Sequence, residues 1–333
     1  MGDVAMTVPV LQTLVKQHPY LRITVLSRAF FRPVFDGIPG VSFYGADIRG
    51  KHKGIPGLYR LYRELKGLGI DAVADLHNVL RSKILRLFFL AGGFRVVQID
   101  KGRGEKKALT RERNKVFVPL KTTHRRYADV FEKLGYGIDM SRPVFSEKRE
   151  LTGELRQLLG AEELTGRKTI GIAPFAAFRG KMYPPDLMEE VIRKLDEKGK
   201  YTLLLFGGGK EEKKALDALQ SRYAHVVNVA GKLSFEQELA LISNLDVMVA
   251  MDSGNAHLAA IYGVRTITLW GVTHPYAGFY PFGQDMDDAL LPDREKYPLI
   301  PTSVYGNKFP GGYEDVMRTI SPDEVVEKIL KGI

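Results

Sequence analysis

Short apolar runs rich in Val, Ile and Leu alternate along the whole chain with longer stretches whose apolar positions recur every three or four residues. That alternation of period-2 and period-3.6 patterning argues for parallel sheets with crossover helices rather than a sandwich or a bundle. In the first half, strands are expected at Arg22–Leu26, Ala72–Leu76, Arg95–Ile99 and Lys115–Val118, with helices at Val8–Lys16, Leu58–Leu68, Val79–Leu90 and Arg125–Leu134. The second half repeats the scheme, with strands near Thr169–Ala173, Thr202–Phe206, Val226–Val229, Val247–Ala250 and Thr266–Trp270. Its helices fall at Asp186–Glu197, Glu211–Arg222, Phe235–Ser243 and Ala256–Tyr262. Between the halves, Gly135–Arg149 reads as a linker leading into a helix at Leu151–Leu159, which puts a domain boundary near residue 150. Two doubly wound domains in series, 1–150 and 151–333, are the expectation.

The two ends depart from this rhythm. A doubly wound domain opens on a strand, yet here Met1-Gly2-Asp3 leads directly into an apolar helix face of Val8, Leu11, Leu14 and Val15. The first domain is therefore expected to lack its opening strand, the start having been set at an internal methionine. Past Trp270 the pattern dissolves into Gly, Pro and aromatic residues as far as Tyr313. A last helix then begins at Ser321-Pro322-Asp323-Glu324, with Ser as cap and Pro at the first helical position. That helix is expected to pack in the second domain or back on the first.

Composition narrows the chemistry. With 333 residues and no Cys, disulfide scaffolds, thiolate nucleophiles and Cys-bound metals are excluded. No apolar run reaches the roughly 20 residues of a membrane helix, so a cytosolic protein with at most peripheral membrane contact is expected. The formal charge of +10 is concentrated: ten basic residues between Lys101 and Arg126 stand against Glu105 and Glu112. Such a field either attracts a polyanion, whether a phosphorylated lipid, an acidic glycan or a nucleic acid, or is a solvated loop.

Ligands of open α/β sheets bind beyond the carboxyl ends of the strands, where loops enter helix amino termini. Three loops qualify. Gly2-Asp3 offers close backbone approach and a carboxylate, which serves either as a reactive group or as a helix cap. Asp252-Ser253-Gly254-Asn255-Ala256-His257 follows the apolar Val247–Met251 and has the form of a phosphate-holding turn, although Asp252 and His257 are also residues that structural roles employ. Phe206-Gly207-Gly208-Gly209-Lys210-Glu211-Glu212 is a third junction; it lacks both G-x-G-x-x-G and G-K-[ST], and its acids either grip a ribose or occupy a helix's first turn.

Together with Asp75-Leu-His-Asn-Val-Leu-Arg-Ser82, His124-Arg-Arg-Tyr127, Lys181-Met-Tyr-Pro184 and Met317-Arg-Thr-Ile320, these motifs, in this order, resemble the glycosyltransferase family of the ADP-heptose:lipopolysaccharide heptosyltransferases. The resemblance implies a GT-B architecture: two Rossmann-like domains facing across a cleft, acceptor on the first and sugar nucleotide on the second. It makes Asp3 the general base of an inverting displacement. It assigns donor binding to Lys181, Glu211, Leu233, Asp252, Ser253, Gly254 and His257, and acceptor binding to His77, Arg81, Lys83, Arg125 and Arg126. No metal and no cofactor are expected, the ADP-sugar being a substrate. The partners implied are ADP-heptose or a similar nucleotide sugar and a phosphorylated or Kdo-containing lipid-linked glycan, with peripheral inner-membrane contact and no specific nucleic acid. The family's pattern is departed from at Ala176 and Ala177, where hydroxyl side chains occur in relatives, and at Tyr183, where Trp is common.

Two other readings remain: a non-catalytic binder of nucleotide sugar, glycan or nucleic acid built on the basic segment, and a nicotinamide-dependent oxidoreductase, which the absent glycine fingerprint disfavours.

Overall fold

The structure is a computed structural model that describes residues 1–159 and 166–333. Its contacts divide the chain into two units. The first comprises Met1, Asp3–Arg103 and Lys121–Val144, and the second Gly2, Gly104–Leu120 and Phe145–Ile333. The chain thus changes unit at Val144–Phe145, near the expected 150, and also lends Gly104–Leu120 to the second unit.

In the first unit, α1 (Gly2–Ala5) and α2 (Val8–Gln17) precede β1 (Ile23–Ser27) and β2 (Val41–Gly45), which pair in parallel with Ile23 opposite Val41. Pro9 suits the first turn of α2, whose Val8, Val10, Leu11 and Leu14 are all buried. Then come α3 (Gly54–Lys66), β3 (Ala72–Asp75), α4 (Leu80–Ala91) and β4 (Arg95–Gln98), with β3 and β4 again parallel. Among the described residues no strand joins β1 to β3, so this unit carries two separate parallel pairs. The helix pair α3 and α4 covers both, through Leu58, Leu61, Tyr62, Leu65, Leu85 and Phe89 packed with Leu26, Tyr44, Val73 and Val96.

The basic segment behaves differently from its pattern. It begins as α5 (Arg103–Thr110), and Lys115–Val118 forms no strand. Side-chain anchors replace strand pairing there. The Lys115 ammonium donates to the carbonyls of Leu299 and Pro301, Arg294 lies 3.6 Å over the Phe117 ring, and Leu120 N–H donates to Tyr276 O at 2.9 Å. The chain then returns to the first unit as α6 (Thr123–Lys133), capped by the Thr122 hydroxyl, which accepts from Arg125 N–H.

After α7 (Gly153–Leu158), the second unit is one parallel sheet of β5 (Lys168–Ala173), β6 (Tyr201–Leu205), β7 (Val226–Asn228), β8 (Val247–Met251), β9 (Arg265–Leu269) and β10 (Ala289–Leu290). The spatial order is β10-β9-β8-β5-β6-β7. This is the doubly wound arrangement, and its switch point lies between β5 and β8, where ligands are expected. The intervening helices are α8 (Pro185–Asp196), α9 (Lys210–Gln220), α10 (Phe235–Ser243) and α11 (Gly254–Ala260). Every residue of β8 is buried, which accounts for its uninterrupted apolar sequence. The last helix, α12 (Pro322–Leu330), starts as its sequence implies, with the Ser321 hydroxyl accepting from Glu324 N–H. It packs on α8 of its own unit: Lys194 meets Asp323 at 2.5 Å, and Val325 and Ile329 are buried in the second unit's core.

Candidate active site

In the first unit the chemistry gathers at the carboxyl ends of β3 and β4. Asp75 closes β3, and its Oδ1 accepts the N–H groups of His77 (3.1 Å) and Asn78 (2.8 Å), bending the chain sharply. Asn78 takes a positive φ of 45° there, a conformation Asn tolerates, and donates its side-chain amide to Ile99 O at 3.1 Å. Arg86 reaches back from α4 to within 3.7 Å of Asp75 Oδ2. This turn presents His77, whose Nε2 lies 4.0 Å from Asp3 Oδ2, while Asp3 O accepts from the buried Tyr127 hydroxyl at 3.2 Å.

Desolvation dominates His77 and holds its imidazolium below the ordinary range; the Asp3 charge opposes this and Lys101 reinforces it. Lys101, at the end of β4, is itself lowered, first by desolvation, with Asp3 pulling it back up. Asp3 therefore shares its surroundings with an imidazole whose protonation burial disfavours and with the Lys101 amine. Lys101 was not singled out in the sequence, where it disappears into the head of a basic run.

In the second unit Lys181 and Asp252 meet at the switch point. Lys181 follows β5 in a short 3₁₀ turn, Asp252 ends β8, and Nζ lies 2.8 Å from Oδ2 with both side chains largely buried. Thr273, beyond β9, donates its hydroxyl to the same Asp252 oxygen at 3.0 Å. The chain at Ser303–Gly306 aims the lysine: Ser303 Oγ accepts from Gly306 N–H, and Gly306 has φ 76°. A Cβ there would stand 2.3 Å from Lys181 Cγ, so the close approach requires glycine. Ser253 occupies the position capping α11, yet its hydroxyl makes no capping bond and is buried without a hydrogen-bond partner. A buried hydroxyl in that condition is costly unless a ligand completes it. His257 is buried on α11.

Other expected residues have different surroundings. Glu211 is exposed and paired with Lys214 at 3.2 Å, whereas Glu212 accepts the N–H groups of Gly208 (2.8 Å) and Gly209 (3.1 Å), the capping role open to it from sequence. Leu233 lies half-buried just before Ser234, the cap of α10. Gly254 opens α11. Arg81 is exposed on α4, with Lys83 half-buried beside it. Arg126, also expected at the acceptor, is 4% exposed, and its guanidinium donates to Lys121 O at 3.1 Å and Asp100 O at 3.3 Å, tying the β4 loop to α6. Arg125 is taken up by Asp129 and Glu132, both at 3.1 Å. Thr273, Ser303 and Gly306 were missed because the sequence after Trp270 carries no periodicity; for Thr273, a polar residue shortly after the buried β9 was the available signal, and Ser303 and Gly306 follow no strand closely. Among the described residues no three or more His, Asp or Glu side chains converge as a metal site needs.

The family model for glycosyltransferase family 9 (heptosyltransferase) matches residues 58–298. The lipopolysaccharide core heptosyltransferase OpsX of Haemophilus influenzae is 25% identical over 283 residues, covering 82% of this chain and 77% of its own length. Among solved structures, a glycosyl transferase family 9 protein from Veillonella parvula superposes with a TM-score of 0.76 at 19% identity, over 99% of this chain and 94% of that one. The E. coli heptosyltransferase WaaC, solved with ADP-2-deoxy-2-fluoro heptose, gives 0.69 at 18% identity, over 100% and 97%. The fold is thus α/β of the GT-B type, and the chain belongs to glycosyltransferase family 9.

Proposed function

We propose that the protein transfers heptose from ADP-heptose to a lipopolysaccharide core acceptor, with inversion at the anomeric carbon. The observation that carries this reading is the Lys181–Asp252–Thr273 group at the β5/β8 switch point, beside the unsatisfied Ser253 hydroxyl. It provides a cation, a carboxylate that holds that cation in place, and a hydroxyl donor, which is what a sugar diphosphate needs. Family membership and the name borne by OpsX support the choice of sugar and acceptor.

In the proposed step Asp3 accepts the proton of an acceptor hydroxyl, whose oxygen forms a bond to the anomeric carbon. The bond from that carbon to the diphosphate oxygen breaks, and ADP departs with the electron pair. Charge develops on the diphosphate, and Lys181 with the Ser253 hydroxyl stabilises it, so no metal ion or other cofactor is called for. His77 and Lys101 border the base, and Arg81 and Lys83 are at hand for the acid groups of a phosphorylated or Kdo-containing acceptor. Asp252, Gly254 and His257 hold the sugar and diphosphate, with Glu211 and Leu233 toward the ribose and adenine. The first unit binds acceptor and the second donor, in the cytoplasm or at the inner face of the inner membrane; no helix among the described residues is long and apolar enough to cross it.

The test is a panel of ADP-, UDP- and GDP-sugars with a core acceptor, scored by released nucleotide and by NMR of the new linkage. ADP-heptose should be preferred, its turnover should survive a chelator, and the product should have the opposite anomeric configuration. Preference for a UDP- or GDP-sugar, or retention of configuration, would overturn the reading.

A further inference from the structure

Apart from Arg81 and Lys83 near the start of α4, the outer face of α3 and α4 is used by none of the chemistry above, and its composition is unusual for a solvated surface. Ile55 and Tyr59 on α3 are 61% and 47% exposed; Leu80, Leu87 and Leu90 on α4 are 75%, 60% and 49% exposed. On each helix these side chains follow helical spacing, as Ile55, Tyr59, Arg63 and Lys66 on one and Leu80, Lys83, Leu87 and Leu90 on the other, so each set is one stripe. The stripes adjoin, because Tyr59 lies edge-on against Phe88 of α4 with ring centroids 5.4 Å apart. A surface helix ordinarily turns acids and bases alike outward. Here α4 carries Arg81, Lys83 and Arg86 and no acid, and the one acid of α3, Glu64, is consumed by Tyr44, His52 and Lys51. Those three partners hold the Glu64 carboxyl at about 2, Tyr44 contributing most.

Exposed leucine, isoleucine and tyrosine bordered by cations with no available acid match the interfacial region of an anionic bilayer, where apolar side chains enter the acyl boundary and bases meet phosphates. A protein partner is the poorer fit, since lysine is depleted from protein interfaces. We propose that the α3/α4 face of the first unit docks on an anionic phospholipid surface, with Ile55, Tyr59, Leu87 and Leu90 inserted and Arg63 and Lys66 on the headgroups. The docking stands on this face alone; its purpose, keeping a lipid-linked acceptor beside His77 three residues before α4, rests on the function proposed above.

The test uses the full chain with sucrose-loaded vesicles, either of phosphatidylglycerol with phosphatidylethanolamine or of phosphatidylcholine alone. Wild type should sediment with the anionic vesicles, be released by salt, and ignore phosphatidylcholine. Two double variants, Leu87→Ser with Leu90→Ser and Arg63→Gln with Lys66→Gln, should each lose about tenfold or more in partitioning, with circular dichroism and ADP affinity unchanged. Equal partitioning of wild type and variants, or no binding of wild type to anionic vesicles, overturns the proposal. So does a dimer in sedimentation velocity that the leucine variant dissociates, which would make the face a contact with a second copy. Vesicle binding without heptosyl transfer would leave the docking intact and remove the function; transfer to a detergent-dispersed acceptor without vesicle binding would do the reverse.

Discussion

Replacing Lys181 with methionine keeps most of the stem that passes Gly306 and deletes the ammonium, leaving Asp252 buried with the Thr273 hydroxyl as its remaining donor. At 2.8 Å the direct attraction in the intact pair is about 6 kcal/mol for an effective dielectric of 20. Most of that is offset by the desolvation of two largely buried charges, so the pair's net worth is small. Breaking it from one side is another matter, because the stranded carboxylate keeps its desolvation cost; about 3 kcal/mol is expected. Adding Asp252→Asn to Lys181→Met removes the stranded charge and should recover about 2 kcal/mol of that loss. The assay is urea unfolding followed by the fluorescence of Trp270, the sole tryptophan, which is fully buried in the second unit and reports that unit alone. With a slope of about 2 kcal/mol/M, Lys181→Met should lower the midpoint by about 1.5 M. Calorimetry on the same variant should show ADP affinity down by about 10- to 100-fold through loss of a charge-assisted bond to phosphate. A midpoint shift under about 0.3 M, or a double variant as unstable as the sum of the singles, would refute the reasoning that the buried Asp252 carboxylate depends on the Lys181 ammonium.

Asp3→Asn removes the proposed proton acceptor and should cut transfer by about 10²- to 10⁴-fold with donor affinity unchanged; initial rates and ADP calorimetry check this, and wild-type turnover would remove Asp3 as the base. Gly306→Ala forces a Cβ into the Lys181 stem at a positive φ and should weaken ADP binding about tenfold, whereas Gly312→Ala, at φ 84° with nothing within 4 Å, should leave affinity alone. Buried His274 is pushed down to about 4 by desolvation, aided by Arg294 and Lys115. The unfolded chain, with its histidine near 6.5, binds the extra proton first, so the second unit should lose about 3 kcal/mol as pH falls from 6.5 to 4. His274→Asn, which retains an acceptor for Tyr276 N–H, should flatten the Trp270 unfolding profile in that window relative to wild type.

The sequence was most informative where local pattern and tertiary role coincide. The run Val247–Met251 is apolar throughout because both faces of β8 are covered, so the strand and the loop after it were readable together. Ser321-Pro322 marked a helix start because capping is a local event. The failures were long-range. Val41–Gly45 was passed over as a strand, since its short run sits between glycines and its partner β1 is its main support. The helix Arg103–Thr110 was hidden by charge: its apolar contribution is Leu109 and the stem of Lys106, whose ammonium lies 4.1 Å over Phe279, far along the chain. The surroundings of Arg126 were equally hidden, because a base in a basic run carries no sign of the carbonyls it is turned toward, one of which, Asp100 O, lies 26 residues earlier. Thr273 lies 21 residues from the carboxylate it supports, outside any local pattern.

The central claim is that this chain moves heptose from ADP to a lipopolysaccharide core. Mass spectrometry of a Kdo-bearing lipid A acceptor after incubation with the full chain and ADP-heptose tests it most directly. The account predicts an acceptor heavier by one heptose, with one ADP released for each. An unmodified acceptor, whether ADP-heptose is untouched or merely hydrolysed, would contradict it.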